Sequence, residues 1–384
     1  MSRLNQLIQE LCPDGVEYRR LKDVCTFRRG TSITKKDIIE GNIPVIAGGQ
    51  EPAYYHNQAN RTGETVVISS SGAAGFVSYW EQPIFVSDAF SVEPNGKILT
   101  KYLYYFLKSK QDKIYSLQKA GGVPHVYSTD IAPLKIPIPP LPVQQEIVRI
   151  LDTFTELIKE LNAELEARRK QYEYYRDTLL NFTDEYETKQ FGEIATIVRG
   201  ASPRPIRNFI TDDPNGVNWI KIGDVQPGSK YITSTNEKIT QEGARKSRLV
   251  HPGDFILSNS MSFGRPYIMK IKGCIHDGWL AITGFEEYFM PDFLYHLLSS
   301  APIQKVLAQR ASTGTVKNLN ADIVKALELP VPPLEEQQRI VNILDRFDTL
   351  INDPITGIPA EIEAREKQFK YYLNKLLDFK EVSS

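Results

Sequence analysis

Apolar residues return every third or fourth position over one long stretch in the first half of the chain. Ile147, Leu151, Phe154, Ile158, Leu161, Leu165, Arg168, Tyr172, Tyr175, Leu179 and Phe182 step by four and three without a slip, and only Arg168 is polar. A seam of about five heptads is the pattern of a coiled coil. Pro139, Pro140 and Pro142 block backward extension, which places the helix start near Gln144. About 38 residues at about 1.5 Å each make a rod of roughly 55 Å. The step returns at Ile340, Leu344, Phe347 and Ile351 and resumes at Ile362, Arg365, Phe369, Tyr372, Leu376 and Phe379. Between the two runs lies NDPITGIP, whose Pro354, Gly357 and Pro359 predict a local break or bulge in place of a continuous helix.

The words repeat along with the pattern. IPIPPLPVQQEIVRILDTF (136–154) comes back as LPVPPLEEQQRIVNILDRF (329–347), and EARRKQYEYYRDTLLNF (166–182) as EAREKQFKYYLNKLLDF (363–379) at an offset four residues longer. Weaker echoes keep the same order in both halves. FRRG (27–30) parallels IVRG (197–200), SSSGAAGFVSYW (69–80) parallels SNSMSFGRPYIM (258–269), VSDAF (86–90) parallels IHDGW (275–279), and KYLYYFL (101–107) parallels DFLYHLL (292–298). A repeat of this length means a duplicated unit: a variable globular domain, a Pro-rich joint, then a long helix. The divisions expected are 1–140 and 184–333 for the globular domains, and 141–183 and 334–384 for the helical regions.

The globular parts alternate short β-like runs with Gly, Pro, Asn and Asp turns and carry helices near 102–110 and 292–307, an α+β pattern whose strand order is not readable. With no other helix long enough to cover either seam, the two seams are expected to pack on each other. A chain that leaves one helix, builds a domain and enters the next can set the pair antiparallel, with one domain at each end. The fold class is therefore α+β, two mixed domains joined by two long antiparallel helices with a pseudo-two-fold internal repeat. Tyr174, Tyr175, Tyr371 and Tyr372 add aromatic surface beyond the minimal stripe, of a kind enriched at protein interfaces.

Composition narrows the classes. At 384 residues, with 41% hydrophobic and 24% charged, the chain suits two soluble domains. Cys12, Cys25 and Cys274 are scattered and fit free thiols in a reducing compartment. The opening MSRLNQLIQELCPDG carries no apolar h-region, so a cytoplasmic location without a membrane partner is expected. Net charge is −1, but the two domains are slightly basic (16 Lys/Arg against 13 Asp/Glu in 1–140; 17 against 16 in 184–333) and the helical regions acidic. One basic face on a neutral protein suffices for nucleic acid.

Catalytic patterns are missing from the sequence. No GxxxxGK phosphate loop, GxGxxG turn or GxSxG elbow occurs; Ser71 in SSSGAAG lacks the preceding glycine. His56, His125, His251, His276 and His296 are dispersed and read as surface or satisfied core histidines, and no metal-ligand spacing is present. Asp212 and Asp213 mark a turn, while Asp88 and Asp277, which recur between the halves, read as strand-end structure. A hydrolase built on Ser71 or Ser260 lacks an accompanying base. The expectation is that this chain is not an enzyme alone.

The doubled PxPPLxxQQxIVxILDxF, each followed by EARxKQ and a YYxxxLLxF run, resembles the specificity subunits of Type I restriction–modification systems over essentially the whole chain. The resemblance implies that each globular part is a target recognition domain reading one half of a split double-stranded DNA site. It implies helices that act as a spacer and dock two methyltransferase subunits, and restriction/translocase subunits joined through the complex. It places S-adenosylmethionine, ATP and Mg in those partners, with no cofactor in this chain. The absence of an (Asp/Asn)-Pro-Pro-(Phe/Tyr) methyltransferase motif agrees with it.

Base edges favour Arg, Lys, Asn, Gln and Ser, and phosphates favour Lys and Arg. The DNA-binding candidates in the first domain are Arg29, Ser32, Thr34, Lys35 and Lys36, then Gln50, Tyr54, His56, Asn57 and Arg61, then Ser71, Lys119 and His125. In the second they are Arg199, Ser202, Arg204, Arg207, Lys221, Asn259, Ser260, Arg265, Arg310, Lys317 and Asn318. The competing reading is a coiled-coil protein-interaction adaptor without DNA specificity.

Overall fold

The computed structural model describes residues 3–119, 123–182, 186–225, 229–259, 264–311 and 319–382. The chain divides into two compact units, Met1–Glu160 with Ile362–Ser384, and Leu161–Glu361. The division cuts both helical regions, so each unit holds one globular domain and a length of each helix.

The duplication is legible strand by strand. In the first unit Cys25–Arg29, Ala89–Pro94, Thr65–Ser69 and Val77–Trp80 form an antiparallel sheet in that spatial order. A second sheet orders Tyr54–His56, Ile43–Ile46 and Phe85–Val86, the last pair parallel. In the second unit Thr196–Arg199, Trp279–Thr283, Phe255–Ser258 and Pro266–Met269 repeat the first sheet, with Tyr231–Ile232 added. Glu237–Ile239, Val217–Ile220 and Gly273–Ile275 repeat the second, again with a parallel pair. Thr65–Ser69 and Phe255–Ser258 are buried at every position, which is why these runs lack polar alternation.

The RRG and VRG echoes have a steric origin. A Cβ on Gly30 would lie 2.1 Å from the Ser87 carbonyl oxygen, and one on Gly200 would lie 2.1 Å from that of His276. In each domain the first strand of the large sheet therefore ends against the loop that carries Asp88 or Asp277.

The long helix runs Leu141–Leu179, about 58 Å at 1.5 Å per residue. It starts three residues before Gln144, because Pro142 falls in the first turn, where its missing N–H is not needed. The second helical region is broken as its prolines predict: Leu334–Asn352 stops and Ile358–Lys375 begins. Asp353 holds the turn by accepting from the Ile355 and Thr356 amides at 2.7 and 2.9 Å.

The repeated Gln has one task in both copies. Gln144 Oε1 accepts from the Leu99 amide (2.9 Å), and its Nε2 donates to the carbonyls of Lys97 (2.9 Å) and Pro139 (2.8 Å). Gln337 Oε1 accepts from the Met290 amide (2.9 Å) and its Nε2 donates to Tyr288 (2.8 Å) and Pro332 (2.9 Å). Both side chains are fully enclosed. Each ties the start of a long helix to the start of a domain helix, Thr100–Ser109 or Pro291–Ser299.

The apolar seam divides its labour. Ile147 and Leu151 sink into the first domain's core beside Leu373 and Leu377, one position beyond the expected Tyr372 and Leu376. Leu165, Tyr172, Ile340, Leu344 and Ile351 are buried in the second unit. Phe154, Ile158, Leu161, Leu179, Phe347, Ile362, Phe369 and Leu376 are half-buried. Tyr175 and Tyr372 stay 38% exposed, yet each stacks on a phenylalanine. Phe154 lies 5.4 Å from Tyr372 in the first unit, and Phe347 lies 5.5 Å from Tyr175 in the second, both at 24°. These are the same two repeat positions meeting in each unit.

Among the described residues, no helix is long and apolar enough to cross a membrane, and the three cysteines are buried free thiols.

Gln337→Leu leaves one amide and two carbonyls without partners at about 1–3 kcal/mol for each group. The expected result is a loss of about 3 kcal/mol or more, read as a lower urea midpoint for the second unit, which contains Trp219 and Trp279. An unchanged midpoint would refute this account of the motif.

Candidate nucleic-acid interface

In the second domain the candidates converge on Asp277, in the loop between Gly273–Ile275 and Trp279–Thr283. Its Oδ1 accepts from the Ser202 hydroxyl at 2.7 Å, and its Oδ2 faces Arg204 at 3.5 Å and Arg199 at 4.0 Å. Arg199 Nε also donates to the Asp277 carbonyl at 2.9 Å. The Ser202 hydrogen bond, against partial burial, holds this carboxyl below the usual range. Arg204 is 82% and Arg199 59% exposed, so the carboxylate orients two guanidinium groups whose outer faces remain in water. Beside them lies a cleft of about 310 Å³ lined by Ser202, Arg204, Trp219, Lys221 and His276. Burial pushes the His276 imidazole down, and its Nδ1 accepts from the Gly278 amide at 2.7 Å.

The first domain assembles the corresponding edge from different pieces. Ser71 Oγ donates to the Asp88 carboxylate, and the Ser70 amide donates to the Asp88 carbonyl at 3.2 Å. The Val126 amide donates to the Ser70 carbonyl, bringing His125 and Tyr127, and Lys119 bridged to His125, to the same edge. There Lys119 lies 5.0 Å over the Tyr127 ring and pairs with Asp130 at 3.1 Å, while His125 stacks on Tyr127 at 6.0 Å. Arg29 and Ser32 flank Gly30, whose amide bonds Ala89. Thr34 bonds Asp37 through hydroxyl and amide and shapes the turn that exposes Lys35 and Lys36. Gln50 follows Gly48, which abuts Ser71.

Several expected contacts are corrected by burial. Arg61 is 7% exposed; its guanidinium bonds Ser91 and the carbonyls of Asn60, Arg28 and Arg29, bracing the sheet from within. His56 is 5% exposed and its Nδ1 meets the Ile39 backbone. Asn259 is 3% exposed and donates to the Asp277 carbonyl at 2.8 Å, so it supports the Asp277 loop from beneath. None of the three can present its polar end to DNA. Lys221 is drawn to Glu237 at 2.6 Å, and Arg310 donates to the Ala326 carbonyl at 2.7 Å from the helix Ala301–Ala311. Tyr54 and Asn57 in the first domain and Arg207 and Arg265 in the second are exposed on loops or strand edges. Ser260, Lys317 and Asn318 lie outside the described residues.

Asp88, Asp277 and Tyr127 were not among the candidates. The recurrence of VSDAF as IHDGW was the available signal for the two aspartates; Tyr127 offered none before its stacking was visible. Among the described residues there is no group of three His, Cys, Asp or Glu placed to hold a metal, and no histidine hydrogen-bonds Ser71 or Asp88.

Two α+β domains of matched strand order, each with a loop edge carrying cations and each tied to a long helix by an enclosed glutamine, define a duplicated binding protein. The chain belongs to the Type I restriction modification DNA specificity family, whose model matches residues 13–167 and again 183–364. It is 34% identical to the EcoR124I/EcoR124II specificity subunit of Escherichia coli, over 99% of this chain and 98% of that protein. A putative type I restriction enzyme specificity subunit of Haemophilus influenzae is 31% identical over 95% of this chain and 96% of its own length. The crystal structure of the Type-I restriction-modification S subunit from M. genitalium shares the fold, with TM-score 0.60 at 17% identity over 94% of this chain and 96% of that chain. Membership in this family overturns the reading as an adaptor without DNA specificity.

Proposed function

We propose that this chain is the non-catalytic reader of a bipartite duplex DNA target, each globular domain taking one half-site. The observation that carries this reading is the repeated edge. Asp88 and Asp277 stand in equivalent loops, and each accepts from a serine hydroxyl with exposed cations on the adjoining segments, Arg204 in the second domain and Lys119 in the first, the groups that meet phosphates and base edges. Two methyltransferase subunits dock on the helical regions, where Tyr174 and Tyr371 stand 67% and 56% exposed at equivalent repeat positions. Restriction/translocase subunits join through that complex. S-adenosylmethionine, ATP and Mg then belong to the partners, catalysis lies with them, and the assembly works in the cytoplasm.

The test is base-resolution methylation sequencing of DNA from cells with and without this chain, the methyltransferase present in both. A bipartite N6-methyladenine motif should vanish with the chain, and exchanging residues 184–333 for another member's should change one half of it. Methylation indifferent to the chain would sink the reading. On a finer scale, Arg204→Ala in the assembled complex should lower the slope of log affinity against log salt by about one. An unchanged slope would remove Arg204 from the phosphate contacts.

A further inference from the structure

The aspartate of the repeated ILD sequence, Asp152 in one copy and Asp345 in the other, fastens the long helices to the domains, and the two copies do this differently. In the first unit Asp152 accepts from the Tyr105 hydroxyl at 2.5 Å and pairs with a partly exposed Lys101 at 3.1 Å. In the second unit Asp345 Oδ1 takes both His296 Nε2 and Lys230 Nζ at 2.7 Å. His296 is wholly enclosed and Lys230 is 5% exposed at its side chain. His296 Nδ1 meets the Tyr172 hydroxyl at 3.1 Å, and Lys230 also pairs with Asp292 at 2.7 Å. The long helix, the domain helix, the strand region before Tyr231 and the helix Leu334–Asn352 therefore meet at one carboxylate.

We propose that Asp345, His296 and Lys230 are positioning residues that lock the second recognition domain to its helices and so set how strictly the complex holds the spacer between half-sites. The proposal rests on the bipartite reading above. With 10–10.5 base pairs per turn, one added pair turns the second half-site by about 35° and moves it by about 3.4 Å. A domain with play at its joint can follow that displacement. A domain held through an enclosed Lys230 and an enclosed His296, both paired to a half-buried Asp345, cannot follow it as easily, because turning it would leave the enclosed ammonium and imidazole without their acceptor.

The cluster also carries its own signature. With the imidazole neutral, Nε2–H donates to Asp345 and Nδ1 accepts from Tyr172. Protonation removes that acceptor and sets a second cation beside Lys230. The other charged or titratable neighbours are Arg176 on the long helix, Tyr231 after Lys230, Tyr295 beside His296, and Asp348 one turn from Asp345. Burial holds His296 below its ordinary range. Burial raises Asp345, but the His296 and Lys230 hydrogen bonds outweigh it and leave the carboxyl below its usual range. Burial pushes Asp348 up. A loosened joint binds the imidazole proton at about pH 6.5, so the lock is intact above that pH and weakens as pH falls below it.

The experiment measures affinity of the assembled chain–methyltransferase complex for duplexes carrying the methylome-defined half-sites at the native spacer and at one base pair more or fewer. Asp345→Asn should raise the ratio of off-spacer to native affinity about tenfold at pH 7.5, with base preference inside each half-site unchanged. The wild type should show the same drift between pH 7.5 and 5.8. His296→Gln, whose amide can serve both Asp345 and Tyr172 and which leaves His276 intact, should stay strict at both. A folded Asp345→Asn complex with unaltered spacer selectivity, or altered base preference, overturns the proposal. If that variant does not assemble, a wild-type ratio that is flat with pH, or a His296→Gln ratio that drifts, overturns it instead. A wild-type complex that binds with no bipartite selectivity removes the underlying reading, a result distinct from these.

Discussion

An enclosed primary amide at the foot of each long helix is the interaction on which the rest depends. Where the chain passes from its last strand through prolines into the helix, backbone carbonyls and an amide are buried that no ladder or helix turn reaches. An unpaired group there is costly. Gln144 and Gln337 each satisfy three of them, and in doing so fix the direction in which a helix leaves its domain. The Asp152 and Asp345 contacts come two turns later and fasten the same helices a second time. The seam can pair only because these two points have set where it runs.

The two units show which parts of a duplicated fold are free to drift. Strand order, the glycine packed against a carbonyl and the amide at the helix foot survive because each meets backbone, whose geometry does not change with side-chain identity. The aspartate of the ILD sequence stays, but its partners are Tyr105 with Lys101 in one copy and His296 with Lys230 in the other. A hydroxyl and a neutral imidazole N–H can both donate to a carboxylate, so the contact outlives the exchange. The loops around Asp88 and Asp277 diverge most. They carry exposed cations that pack on little, which leaves their residue types open to whatever DNA sequence each domain must meet.

The helices, their Pro-rich starts, the break at 353–357 and the duplicated order of elements were all readable in the sequence. Each rests on local rules: a heptad step, a proline that cannot donate, a glycine that admits no Cβ. The family, too, was legible in the doubled Gln-containing run. Which cations face solvent was not. Arg61 and Arg204 look alike as letters, and only sheet packing decides that one braces backbone carbonyls from inside while the other stands 82% exposed on Asp277. His296, dispersed and unremarkable along the chain, became the enclosed centre of an ionic joint because residues 172, 230 and 345 are brought to it by three separate elements. Period and punctuation act between neighbours in sequence and so are written there; burial and pairing act between residues distant in sequence, and only the folded chain brings those together.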